Sequence, residues 1–250
     1  MESPDSPEPM SIWARLFNVF ASPGELYSWI AGRPFAVANW LVPCAVVALI
    51  GALVNVVVFS NPVLLEEIRG IQIREIQRRV DDGKMRQQDA DQAKEAMNGI
   101  GMAVARVAAP VAALLTGFLS PFWWGLFTWL VGRAVFRAPM GYMRGVEIAA
   151  LASLIGAVGM VVGLFLAMGT GRLLAGPHLG ALIKELDLGN RLHLALVAFN
   201  FFSLWQTAVM AIGVSRFANR PFLPVAVVLF GLWLGYKGVA ILLGLAQFAL

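Results

Sequence analysis

Apolar stretches and polar interruptions alternate along this chain on the scale of a bilayer rather than of a turn. No Asp, Glu, Lys or Arg occurs within 34–65, 107–132, 148–171 or 192–215. A fifth such interval, 221–236, extends to the end of the sequence if Lys237 is admitted. Roughly 20 apolar residues suffice to cross a bilayer as a helix. The pattern therefore predicts five spans, near 36–59, 107–131, 148–168, 192–213 and 222–245. The expected fold class is all-α, a polytopic membrane protein with five transmembrane helices and an extramembrane helical hairpin.

The segments between the spans carry patterns of their own. Residues 1–10 are acidic and proline-rich and read as a disordered tail. In 11–34, Ile12, Trp13, Leu16, Phe17 and Phe20 share one helical stripe, which predicts an amphipathic helix lying in the membrane interface. The largest polar region, 61–102, opens on Asn61-Pro62. Ile68, Ile71, Ile76 and Val80 recur near helical spacing, Asp82-Gly83 supplies a stop, and a second helix is expected over about 86–98. The result is a helical hairpin projecting from the membrane. It holds seven basic and eight acidic residues, a balance suited to i,i+4 pairing on solvated helix faces. HLGALIKELDL (178–188) reads as a short surface helix.

Composition agrees with this reading: 59% of residues are hydrophobic and 14% charged, where soluble domains carry about a quarter charged. The net charge of +4 is spread over span ends and the mixed-charge hairpin, without a basic patch interleaved with aromatics, so a nucleic-acid partner is not expected. Setting aside the hairpin with its own acids, basic residues favour a cytoplasmic N-terminus and an outside hairpin.

Candidate chemistry is sparse. The lone Cys44 lies inside span one. His178 and His193 have no second ligand at metal spacing, and Glu147 is the sole acid near a span interior. No enzyme, cofactor or metal site is expected. Three other groups of residues attract interest. Arg74, Arg78, Arg79 and Lys84 on the hairpin form a candidate partner-docking surface, against a bland reading as a solvated connector. Gly156, Gly159 and Gly163 in span three, and Gly231 and Gly235 in span five, have the small-residue spacing that lets helices approach closely in lipid. In span four, His193, Asn200 and Thr207 fall seven apart with Ser203 alongside, a polar stripe that reads as structural glue or a transport path. With Asn55, Arg106 and Lys237 these residues are expected at similar depth, as an intramembrane polar layer. Within it Lys237 either meets Asn200 or snorkels to the surface.

FNFFSLWQTAVMAIGVS (199–215) resembles the aromatic-polar stretch of the Yip family, the Ypt/Rab-interacting multi-pass membrane proteins, in its bacterial branch. FNVFASPGELYSWIAGRP (17–34) is similar to the Phe…Ser-Pro…Pro entry of those proteins. Asn200 stands where many relatives carry an acid, and the hairpin is not a family hallmark. The resemblance implies a protein that works by binding others: small GTPases in eukaryotic members, ABC-type exporters with extracytoplasmic adaptors among bacterial ones. The expected function is a non-catalytic subunit or scaffold of a membrane assembly, best specified as an accessory subunit of an ABC-type exporter. Its partners would be the permease, a periplasmic adaptor and lipids. The alternatives are a carrier or channel for ions or lipids built on span four, and a trafficking factor binding a small GTPase.

Overall fold

The computed structural model describes residues 10–183, 186–187 and 189–244. Residues 1–9 of the expected tail and 245, the end of the expected span five, thus lie outside the described part. Ten α-helices account for most of it. They are α1 (Ile12–Ala21), α2 (Pro23–Ala31), α3 (Ala38–Ser60), α4 (Pro62–Asp81), α5 (Gln87–Ala96), α6 (Met102–Leu130), α7 (Tyr142–Thr170), α8 (Arg191–Ala198), α9 (Phe201–Ala218) and α10 (Phe222–Leu242). Four of the five expected spans are single apolar helices long enough to cross a membrane: Ala38–Ser60, Met102–Val135, Tyr142–Thr170 and Phe222–Leu242. The chain is a multi-pass α-helical membrane protein.

The remaining span, 192–213, is divided. Phe199 and Asn200 leave the helical conformation and separate α8 from α9. A second difference lies at the hairpin. Instead of two helices joined to the spans by loops, the chain is helical without a break from Gln87 through α5, a π-helical turn, α6 and a second π turn to Val135. At 1.5 Å per residue this rod is about 70 Å long, more than twice the hydrocarbon core. Pro110 and Pro121 both sit inside it. Of the surface helix expected over 178–188, the described residues form a 3-10 turn, Leu179–Leu182, while 184, 185 and 188 lie outside the described residues.

Local signals account for the helix ends. Asn61 caps α4, its side-chain oxygen accepting from Val63 N and Leu64 N, with Pro62 at the first helical position. Asn190 does the same for α8 through Leu192 N and His193 N. α7 ends at Gly171, whose φ of 68° is the left-handed conformation that glycine adopts without strain.

α7 is the centre of the bundle. Every residue from Gly145 to Ile155 is buried, as expected of a helix packed on all sides. The closest approaches occur at glycines. A Cβ on Gly125 would fall 2.9 Å from the Val146 backbone, and one on Gly117 2.7 Å from Ala48 Cα. In lipid there is little hydrophobic drive between helices, so such backbone proximity supplies the dispersion contacts that hold α3, α6 and α7 together.

The N-terminal amphipathic segment is partly corrected. Trp13 and Phe17 on α1 are 74% and 68% exposed, as an interfacial stripe should be. α2 is different: Leu26, Tyr27 and Ile30 are buried in the main core with Val19, and the Tyr27 hydroxyl donates to Ile148 O at 3.0 Å. Protein, not lipid, covers α2.

Candidate functional site

Two constructions in this bundle use polar chemistry at depth, one at each end. The first is built on Glu147, one and a half turns into α7 and fully buried. Its carboxylate accepts from Arg144 Nη1 at 2.7 Å, Asn39 Nδ2 at 2.9 Å and, more weakly, Ala36 N at 3.4 Å. Asn39 accepts in turn from Arg15 Nη1 at 2.7 Å, and Arg15 Nε donates to Met10 O. Arg144 also donates to Arg33 O. The guanidinium groups of Arg15 and Arg33 lie 4.8 and 4.3 Å from the Trp29 ring centroid. α1, the turn before α3, α3 and α7 are thus tied at one buried carboxylate.

The electrostatics follow from that burial. Desolvation, then the Arg33 charge, lowers the Arg15 pKa, while Glu147 opposes the shift. Burial, assisted by the Glu147 charge, raises the Tyr27 hydroxyl far above its ordinary value, so it stays a neutral donor. A carboxylate satisfied this way is a structural pin. Among the described residues, no group of three or more His, Cys, Asp or Glu is arranged to hold a metal.

The second construction is the break between α8 and α9. Asn200 accepts from Phe202 N at 2.9 Å and so restarts the helix. Phe201 N, an orphan donor at that start, reaches Pro177 O at 3.0 Å, and His178 pairs with Asn200 as an isolated antiparallel bridge. The loop after α7 therefore folds back to satisfy backbone groups that the interruption frees. Irregular backbone at membrane depth is tolerated only where protein or a cavity covers it. Phe199 contributes by packing edge-on against Trp233 of α10.

The expected polar layer divides between these roles. Ser203 donates to Asn200 O and Thr207 to Ser203 O, while Asn55 donates to Gly51 O. Each of these is satisfied within its own helix. His193 Nδ1 accepts from Asp187 N, and Arg106 is exposed on α6. Asn200 spends its side-chain oxygen on the cap. Lys237 is 8% exposed and shares the inward face of α10 with Trp233 and Ala240.

On the hairpin, Arg74, Arg78, Arg79 and Lys84 are all exposed. Arg78 and Arg79 pair with Glu75 at 2.8 and 3.3 Å, and Lys84 with Asp82 at 2.9 Å. Arg78 also lies against Gly189 of the loop beyond α7. The base of α4 is anchored on the bundle, where Leu64 and Ile68 join Val58 and Ala167 in a small second core.

The glycine ridges separate in the same way. A Cβ on Gly156 would fall 2.9 Å from Gln206 Oε1 and one on Gly159 2.8 Å from Phe202, so both hold α7 against α9. Gly163 has only Ala175 O nearby, at 3.9 Å. Around Gly231 and Gly235 there is open space, so that ridge packs against nothing within the described chain. Sequence reasoning missed Gly117, Gly125 and Gly145, which come closest to the backbone of a neighbouring helix without four-residue spacing to a singled-out partner. It also noted Glu147 without its partners, although Arg144 three residues earlier was a readable signal.

Fold and polar sites together define a polytopic helical membrane protein with a pinned N-terminal layer and an interrupted helix between Arg191 and Ala218. Neither family models, curated proteins nor solved structures match the chain significantly.

Proposed function

We propose that this chain is a non-catalytic membrane subunit that assembles with other membrane proteins, using the hairpin as its docking element. The observation that supports it most is the uninterrupted helix from Gln87 to Val135. A rod this long carries the hairpin beyond the bilayer on a rigid stem, and α4 is fixed to the bundle at its base. The open face at Gly231 and Gly235 supports the same reading, because small-residue ridges are where helices of membrane assemblies meet. The best specific form is an accessory subunit of an ABC-type exporter in a bacterial cytoplasmic membrane, N-terminus inside, meeting an extracytoplasmic adaptor or the permease. The Yip resemblance at 199–215 favours a role based on binding other proteins.

Replacing 66–98 by a flexible linker tests this reading. Membrane insertion should survive while co-purification of stoichiometric partners from native membranes is lost; full partner recovery would defeat the docking role.

A second reading, a carrier for ions or lipids, is favoured by the broken helix beside the buried Lys237. Discontinuous helices and intramembrane cations mark substrate paths in transporters. Flux mediated by the purified protein alone in liposomes, abolished by Lys237→Met, would select it over the first.

A further inference from the structure

A cleft of about 460 Å³ opens near the hairpin end of the bundle, between α3, α4, α7 and the segment that follows α7. Its walls include Val58, Ile68, Met160, Leu164 and Leu173, and Asn55 is the one polar side chain among its described lining residues. The volume is that of a ligand pocket rather than a packing defect. Gly163 makes the room: a Cβ there would meet only Ala175 O, whereas Gly156 and Gly159, earlier on the same helix, are closed by α9.

The surroundings say what fills it. Leu53 on α3 and Phe165 on α7 are 64% and 68% exposed, so the cleft lies between two surfaces that face hydrocarbon. An apolar cavity does not hold water well, because water there finds too few polar partners. Two cations adjoin lining residues in sequence. Arg69 follows the lining residue Ile68, and Arg172 precedes the lining residue Leu173. Arg69 Nε is buried without a hydrogen-bond partner among the described residues, although Nη1 pairs with Glu66 at 3.3 Å. Arg172 is exposed enough to reach outward while one nitrogen holds Ile183 O. Guanidinium groups suit phosphate because their donors match its oxygens in a fixed fork.

We propose that this cleft binds one anionic phospholipid, with an acyl chain along the α3–α7 wall and the phosphate at the rim between Arg69 and Arg172. Nothing in this assignment depends on the hairpin having a protein partner. The lipid fills space that the chain leaves empty and ties α4 to the end of α7.

Photolabelling of the full-length protein in phosphatidylcholine vesicles tests it. A small fraction of phosphatidylglycerol carrying a diazirine in its acyl chain is the probe. Cross-links are expected in peptides covering 54–59 and 160–167, and excess unlabelled phosphatidylglycerol should displace them while phosphatidylcholine does not. Gly163→Leu, which puts a side chain into the cleft, should lower that labelling at least tenfold, and Gly163→Ala should preserve it. Arg69→Gln with Arg172→Gln should erase the preference for phosphatidylglycerol. Labelling spread evenly over the exposed faces of α6 and α10, with no competition in the unmodified protein, would overturn the proposal whether or not Gly163→Leu folds.

Discussion

Arg144–Glu147 and Glu75–Arg78 are both ion pairs three residues apart on a helix, yet they sit at opposite ends of the bundle in opposite surroundings. The side chain of Glu147 is 0% exposed and that of Glu75 39%. The Arg144–Glu147 distance is 2.7 Å and the Arg78–Glu75 distance 2.8 Å, so geometry does not distinguish them. Solvent does. In water an ion pair gains about as much as it loses in side-chain freedom and screening, typically 0–1 kcal/mol. A buried pair is weak as a net stabiliser, but breaking it strands a charge away from water at a cost of about 3–5 kcal/mol. The same local motif therefore serves two ends: it fixes the N-terminal layer in one place and keeps a projecting helix solvated in the other.

The largest expected effect breaks the buried member. Glu147→Leu leaves Arg144 and Asn39 without their shared acceptor and should destabilise the protein by about 3–5 kcal/mol. It should be seen as lost monodispersity and a lower thermal midpoint in mild detergent. Glu147→Leu combined with Arg144→Met removes both charges and should recover much of that loss. If the double variant is as unstable as the single one, the pair is not what holds this end together.

Next in size is a steric test of the same region. Gly145 lies between the two ions, and a Cβ there would overlap Gly125 O of α6. Gly145→Leu should cost at least the 1–3 kcal/mol or so typical of overpacking, because α6 and α7 must move apart to admit the side chain. Gly235→Leu, in open space on α10, should leave the isolated protein's melting unchanged. Equal damage from both would mean that the apparent contrast between covered and open glycines is false.

A smaller effect is expected at the helix break. Asn200→Ala removes the cap of α9 and should cost about 1 kcal/mol, within a usual range of 0.5–2. Asn200→Asp restores an acceptor and should recover the thermal midpoint; a matching loss in both variants would assign Asn200 some role other than capping.

These contrasts also explain what was legible in the sequence. Four spans could be read because a charge-free run of bilayer length has few alternatives. The fifth was legible as apolar but not as broken. His193, Asn200 and Thr207 fit the helical period, and a polar residue on that period looks the same whether it faces a neighbour or caps a new helix. The loop carbonyl of Pro177, more than twenty positions away, takes up a backbone donor that the interruption frees. The burial of α2 was hidden for a related reason: an amphipathic stripe says that something apolar covers it, without distinguishing lipid from α9. Glycine spacing likewise marks a helix able to approach another but not which face is occupied, so Gly156 and Gly235 read alike. At the carboxylate site, Arg144 was readable three residues from Glu147. Asn39 and Arg15 were not, since their distance along the chain exceeds any local rule.

The smallest expected effect concerns the solvated pair and is a test by contrast. Hydrogen bonding from Arg78, more than the opposing desolvation or the bond from Arg79, lowers the Glu75 pKa. A carboxylate whose folded pKa lies below its unfolded value contributes stability that is complete above the unfolded value. That contribution is lost as the pH falls through the folded one. The window therefore lies below about pH 4.3, the ordinary glutamate value. With both partners half in water the contribution should be about 0.5 kcal/mol or less. Glu75→Gln should thus leave the thermal midpoint of the whole protein unchanged at neutral pH and local hydrogen exchange in α4 only slightly faster. High salt should shrink even that difference, because exposed charges are screened over about 8–10 Å. A loss approaching that of Glu147→Leu would show that the hairpin ion pairs are buried against something in the assembled protein, which would turn the exposed member of the comparison into a second pin.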